Sequence, residues 1–216
     1  MQGRGFIEAG HLLVGDKLVS VNGEDLIVED YYMELTEEPV SVYNFQVEDF
    51  HTYFVGDCAV WVHNSNECIT KVESGDIELK TKKQKGNYGE MKMDEHYENR
   101  NFERMGDGGV SSLDDKIHHG IDGVYKNADP NGEPKFVIAE AKYGSSQLGN
   151  SSSGRQMSDP WIAKNLDKVV GPDVADEILT EGYSRELFRV KTSNDNGSVK
   201  VTTSVKTVDS NGYVAK

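Results

Sequence analysis

The feature that most restricts this chain is a β-rich run from Lys135 to Tyr143 whose apolar residues are broken only by Glu140 and Lys142 near its end. A second β-rich run, Ile117 to Tyr125, precedes it, and Asn127-Ala-Asp-Pro-Asn-Gly132 joins the two. That connector is dense in residues that favour tight turns, so the pair is expected to form a hairpin. Successive side chains in a strand alternate faces, which puts Glu140 and Lys142 on one side. Asp122, on the neighbouring run, can meet them if the register allows. Two carboxylates placed together away from water cost on the order of several kcal/mol unless a cation offsets them. Mg²⁺ (or Mn²⁺) suits such a pair because it prefers hard oxygen ligands, and the Ala141 carbonyl is a candidate third donor. The competing expectation is a plain surface hairpin with a cross-strand Asp–Lys pair. Gly123 and Gly144 speak against it, since glycine weakens an ordinary strand but lets a backbone approach closely.

Charge divides the chain into unequal parts. The formal net charge is −14, but residues 1–64 hold 2 Lys/Arg against 12 Asp/Glu, leaving 21 against 25 for residues 65–216. An acidic chain is an unusual nucleic-acid enzyme, yet the excess sits mainly in the first part. That part reads as all-β, with short apolar runs at 12–19, 40–47, 52–55 and 59–62 separated by turn residues. Residues 65–85 end in a lysine-rich stretch, Lys80 to Lys85, and read as a linker or a non-specific nucleic-acid tether. Tyr88 to Met105 reads as an amphipathic helix, and 144–154 as a mobile Gly/Ser-rich surface loop. Ser158-Asp-Pro-Trp161 reads as a helix start with proline in the first turn. A second helix is expected from Pro172, then a closing hairpin around Asn194-Asp-Asn-Gly197. Cys58 and Cys68 lack metal-ligand spacing and are expected to be buried or idle thiols, with a disulfide between them as the alternative. No apolar run approaches the roughly 18 residues that span a bilayer, and no secretory pattern opens the chain. Any export route is therefore expected to lie in sequence outside these residues.

Within residues 1–64 the ordered motifs Ile7-Glu8-Ala9-Gly10, Val14-Gly15-Asp16-Lys17-Leu18, Val42-Tyr43-Asn44-Phe45, Phe50-His51-Thr52-Tyr53 and Val62-His63-Asn64 resemble the C-terminal half of the Hint (hedgehog/intein) fold. The likeness is to the pretoxin version found ahead of toxin domains. In that chemistry an asparagine amide attacks its own main-chain carbonyl and breaks the bond that follows, with histidine as the acid. The resemblance implies these roles for Asn64, His63 and His51, with Asn64–Ser65 as the bond at stake. The family's Cys or Ser nucleophile and its Thr-x-x-His motif belong to a half that would precede residue 1. The module is therefore expected to be idle in this chain.

Downstream, Gly120-Ile-Asp122-Gly-Val-Tyr125 and Val137-Ile-Ala-Glu140-Ala-Lys142-Tyr-Gly144 resemble the active-site hairpin of the PD-(D/E)xK restriction-endonuclease-like fold. Ile121 stands where the family's name places proline. The resemblance implies metal ligation by Asp122, Glu140 and Ala141, with Lys142 orienting the attacking water or stabilising the transition state. It further implies that Glu90, on the preceding helix, completes the site, and that Gln156 matches the glutamine some members add. The fold expected is an all-β half Hint domain (1–64), a linker (65–85), then an α/β restriction-endonuclease-like domain (86–216) with a central mixed sheet flanked by helices.

Together the resemblances imply a C-terminal piece of a bacterial polymorphic toxin. It would be a Mg²⁺-dependent endonuclease with DNA favoured over RNA, delivered within a larger secreted protein and acting in the target cytoplasm. A cognate immunity protein is the implied partner. Arg155, Lys164 and Lys168 are candidate phosphate contacts, with a solvated helix face as the alternative. His118 and His119 face opposite ways in a strand, so at most one could serve as a base. The rival expectation is a Hint processing module whose cargo only binds, nucleic acid included, without catalysis. Asn64→Ala is expected to block cargo release from an intact parent protein while leaving this chain unchanged. Mass spectrometry of both would check it, and efficient cleavage after Asn64 in this chain would overturn it.

Overall fold

A computed structural model of the protein describes residues 12–32, 52–55, 59–63, 67–106, 109–117, 119–195 and 198–215. The chain divides into two units, residues 1–65 and 66–216. In the first, β1 (Lys17–Val19) and β2 (Asp25–Ile27) pair antiparallel, as do β3 (Thr52–Val55) and β4 (Val60–His63). Buried Ser20 closes the first turn, its hydroxyl accepting the N–H groups of Asn22 and Glu24. A bridge from Ser20 to Val60 ties the two ribbons together. Residues 40–47, expected as a strand, lie outside the described residues, as does Cys58.

The second unit begins with α1 (Glu67–Glu73), then α2 (Lys82–Glu98). Here the linker expectation for 65–85 fails. Ile69, Val72 and Leu79 are buried in the same core cluster as Tyr88, Met91 and Met93 of α2. Half-buried Cys68 packs against that cluster. The long helix also starts six residues before Tyr88. Thr81 caps it, accepting the Gln84 N–H at 3.1 Å, while the Gln84 side chain accepts the Thr81 N–H at 3.3 Å. This reciprocal pair satisfies N–H groups that a helix start leaves without partners. The helix ends at Glu98, Asn101 turns the chain with φ 66°, and β5 (Phe102–Arg104) follows where helix was expected.

The hairpin forms from β6 (Gly123–Asn127) and β7 (Phe136–Tyr143), paired antiparallel with Gly123 opposite Ala139. Of the stretch before Gly123, the described residues Ile117 and 119–122 are not strand. The Gly/Ser-rich segment folds into a small ribbon of β8 (Asn150–Ser151) and β9 (Gly154–Arg155). Then come α3 (Asp159–Val170) and α4 (Pro172–Glu181), each with proline in its first turn. The chain closes with antiparallel β10 (Ser184–Asp195) and β11 (Ser198–Thr207).

Five strands form one mixed sheet in the order β11-β10-β7-β6-β5, with β10 parallel to β7 and every other pair antiparallel. Parallel neighbours need a crossover, and α3 with α4 supplies it. Alternation along β7 makes the sheet two-faced. Val137, Ala139 and Ala141 join the core under α1 and α2, whereas Phe136 and Ile138 join a second core with Trp161, Ile162, Leu166 and Ile178 of α3 and α4. Near the end of β7, Glu140 and Lys142 continue the Phe136–Ile138 row.

Because residues 67–79 are part of a core, Ile69→Ala in the full chain is expected to lower the unfolding free energy of the second unit by about 3 kcal/mol. Urea denaturation followed by tryptophan fluorescence would measure it. An unchanged midpoint would return this segment to the status of a linker.

Candidate active site

Six residues singled out by the sequence come together at the C-terminal end of β7. Glu140 has no solvent exposure, and both of its carboxylate oxygens are engaged. Oε1 accepts the Asp122 main-chain N–H at 3.3 Å, and Oε2 accepts the Lys142 ammonium at 2.9 Å and the Gln156 amide at 3.1 Å. Asp122 Oδ2 accepts the Ala141 N–H at 3.0 Å and lies 3.7 Å from the Lys142 ammonium. The same ammonium donates to the Ala141 carbonyl at 3.1 Å. The three oxygen-bearing groups expected to hold a cation, Asp122, Glu140 and the Ala141 carbonyl, thus surround a single positive charge.

Glu90 approaches from α2. Gly89 faces the sheet, where a Cβ would make ordinary contacts at 3.5 Å from Val190 Cγ1 and 3.9 Å from the Ala141 Cβ. Gln156 approaches from the ribbon side, with its side-chain carbonyl accepting the Gly149 N–H at 2.7 Å. That contact fixes which end of the amide faces Glu140. Gly144, at φ 63°, turns the chain out of β7 directly after Tyr143 in a conformation that disfavours a side chain.

Behind Asp122 stands a network that the sequence did not reveal. Arg104 on β5 donates to the Asp122 carbonyl at 2.6 Å and pairs with Asp94 of α2. Tyr125 on β6 donates to the same Asp94 carboxylate at 2.6 Å. The Tyr125 ring lies against Gly123, where a Cβ would come within 2.4 Å of its hydroxyl. A glycine after Asp122 is therefore required by the packing of Tyr125. These contacts join residues on three elements, and no local pattern announces them.

Burial and crowding set the charge states. Desolvation, reinforced by the Asp122 carboxylate, pushes Glu90 up to about 8 despite the opposing pull of Arg104. Glu140 is raised well above the carboxylate range by burial and then by Asp122, with Lys142 acting against both. Burial alone would lower Lys142, but Glu140 and Asp122 outweigh it and hold the ammonium above its ordinary value.

The cleft over these groups has a volume of about 450 Å³, and Glu90, Asp122, Ala141, Lys142 and Gln156 line it. Lys82, Lys85 and His119 line it as well. Arg155, Lys164 and Lys168, the expected phosphate contacts, do not. Arg155 stacks on Tyr213 with 4.5 Å to the ring centroid and donates to the Gly212 carbonyl, and Lys168 donates to Asn165 on its own helix. Lys82 and Lys85 come from the stretch taken for a linker. The Thr81-x-x-Gln84 capping pattern was the signal that places them on a helix. Among the described residues no three acidic, histidine or cysteine side chains converge as metal ligands by themselves. The candidate donor set is two carboxylates and a main-chain carbonyl, a hard-oxygen set that leaves room for water, as Mg²⁺ requires. The residues fit such a cation.

His51, Asn64 and His118 lie outside the described residues, and of His63 only the main chain, in β4, is described. The Pretoxin HINT domain family matches residues 1–65. No curated protein and no solved structure matches the chain. Residues 1–65 are thus similar to the Pretoxin HINT domain family, and an α/β unit with a mixed sheet follows them. Among the described residues no helix is long and apolar enough to cross a membrane.

A carboxyl raised on folding contributes stability that is full below its unfolded value and is lost as pH rises through its folded value. For Glu90 that window runs from 4.5 to about 8, and Glu140 adds to it with the same sign. The melting temperature of the metal-free protein is expected to fall across this range and to fall less in Glu90→Gln. Parallel profiles for the two proteins would contradict the assignment.

Proposed function

We propose that the second unit is a metal-dependent nuclease of the PD-(D/E)xK restriction-endonuclease-like fold. It hydrolyses phosphodiester bonds, with DNA favoured over RNA, as the toxic cargo of a polymorphic toxin. The observation that carries this reading is the convergence of Asp122, Glu140 and the Ala141 carbonyl on one positive charge at the end of a buried strand. Carboxylates gathered that closely repel one another, and a divalent cation offsets that repulsion while keeping both ionised.

Asp122, Glu140 and the Ala141 carbonyl would hold Mg²⁺ or Mn²⁺, which supplies Lewis-acid neutralisation of the charge growing on the phosphate. The remaining roles belong to the chain. Lys142 presents an ammonium that orients the attacking water or stabilises the pentacovalent transition state. Gln156 holds Glu140 in place, Arg104 holds the main chain at Asp122, and Glu90 completes the carboxylate set from the helix side. The pretoxin match ahead of this unit supports the toxin context. Such a toxin acts in the cytoplasm of a target cell, and the producing strain carries a cognate immunity protein.

The test is cleavage of plasmid DNA and of total transfer RNA by the full chain, with Mg²⁺ and with EDTA. Cutting is expected with Mg²⁺ only. Glu140→Ala should reduce it to background, and Lys142→Ala should lower the rate by about 10²–10³-fold while the far-UV circular dichroism stays unchanged. A folded protein that cuts neither substrate would favour the rival reading, a cargo domain that only binds.

A further inference from the structure

We propose that Lys82 and Lys85, on the first turns of α2, bind the phosphodiester backbone of the substrate beside the carboxylate site; this rests on the nuclease reading above. Both side chains line the cleft together with Glu90, Asp122 and Lys142. Lys83, between them in sequence, is committed elsewhere: its ammonium donates to the Asp114 carbonyl at 2.7 Å and lies 3.7 Å from the Asp114 carboxylate. Among the described residues neither Lys82 nor Lys85 has a carboxylate partner. The Lys85 ammonium lies over the Tyr143 ring, 5.8 Å from its centroid, at the rim of the cleft. Residues three apart on a helix have Cβ atoms roughly 5–6 Å apart, so the two ammonium groups can serve neighbouring phosphates of one strand.

Charge balance gives these lysines their role. With a divalent cation bound and Glu90, Asp122 and Glu140 deprotonated, their three negative charges are balanced by that cation and Lys142. A cleft neutralised in this way has nothing left to attract a polyanion. Residues 65–216 carry more acids than bases, 25 against 21, so the attraction has to be local. Among the described residues Lys82 and Lys85 are the lysines that line the cleft besides Lys142. Arg155, Lys164 and Lys168 face elsewhere.

The test is fluorescence anisotropy of the full chain on a labelled 20-base-pair DNA duplex and, separately, on transfer RNA. Ca²⁺ replaces Mg²⁺ to prevent turnover, and salt is varied from 50 to 200 mM. Each duplex phosphate contact contributes about 0.9 to the slope of log affinity against log salt. The Lys82→Ala/Lys85→Ala double variant should therefore be shallower than wild type by about 1.8 on the favoured substrate. Lys83→Ala should keep the wild-type slope. The DNA and RNA arms show which polynucleotide supplies the phosphates. A double variant with the wild-type slope, or a Lys83→Ala variant that loses as much, overturns this proposal while leaving the nuclease reading standing if wild type still cuts. A wild-type protein that neither binds nor cuts overturns both.

Discussion

Glu140 sits in a strand whose two preceding same-face residues, Phe136 and Ile138, are part of a hydrophobic core, and it has no contact with solvent. An ionisable group in that position needs a partner for every lone pair it cannot share with water. The surrounding structure supplies three: the ammonium of Lys142, the main-chain N–H of Asp122 and the amide of Gln156. Each comes from a different stretch of chain, so the β6–β7 register, the exit from β7 and the placement of the β8–β9 ribbon are all tied to this one carboxylate. Removing a single partner from a buried charged group is far more damaging than replacing the whole set by apolar residues. The site and this end of the sheet consequently form one construction.

The two faces of the sheet contribute differently. Under α1 and α2 the core is rich in large side chains, including Tyr88, Met91, Met93 and Tyr97. It also holds the Arg104–Asp94 pair whose guanidinium reaches the main chain of Asp122. On the other face α3 and α4 cover Ile138 with an aliphatic layer anchored by Trp161. Glu90 reaches the strand end from α2, and Gln156 from beside the β8–β9 ribbon. Arg104 also moderates the potential of the acidic cluster by pulling Glu90 down, more strongly than its partner Asp94 pushes Glu90 up.

How much of this could be read in advance depends on how local each cause was. The β6–β7 hairpin was legible because turn residues and side-chain alternation act over a few positions. The same alternation put Glu140 and Lys142 on one face. Glu90 and Gln156 were reached only through a family resemblance, since nothing near either residue in sequence marks it. The start of α2 was misplaced because Gly86 and Gly89 argue against helix by propensity, whereas the decisive facts were a capping pair and the burial of Tyr88 and Met91. The lysine-rich stretch before it read as solvated linker because charge density says nothing about the side a helix turns toward a cleft. Arg104 and the parallel pairing of β10 with β7 were invisible, for their partners are set by the tertiary fold alone.

That parallel pairing has a temporal side. β10 can take its place beside β7 only after the intervening chain has gone out through the β8–β9 ribbon, run along α3 and α4, and returned. Contacts between residues distant in sequence form late, because the intervening loop must be closed first. The hairpin carrying Asp122, Glu140 and Lys142 is local and can form early, but the layer that seals Glu140 from water is built by the returning segment. A chain still emerging from a ribosome therefore carries the acidic residues without the enclosed cleft. Enclosure of the acidic cluster is written into the order in which the strands can pair.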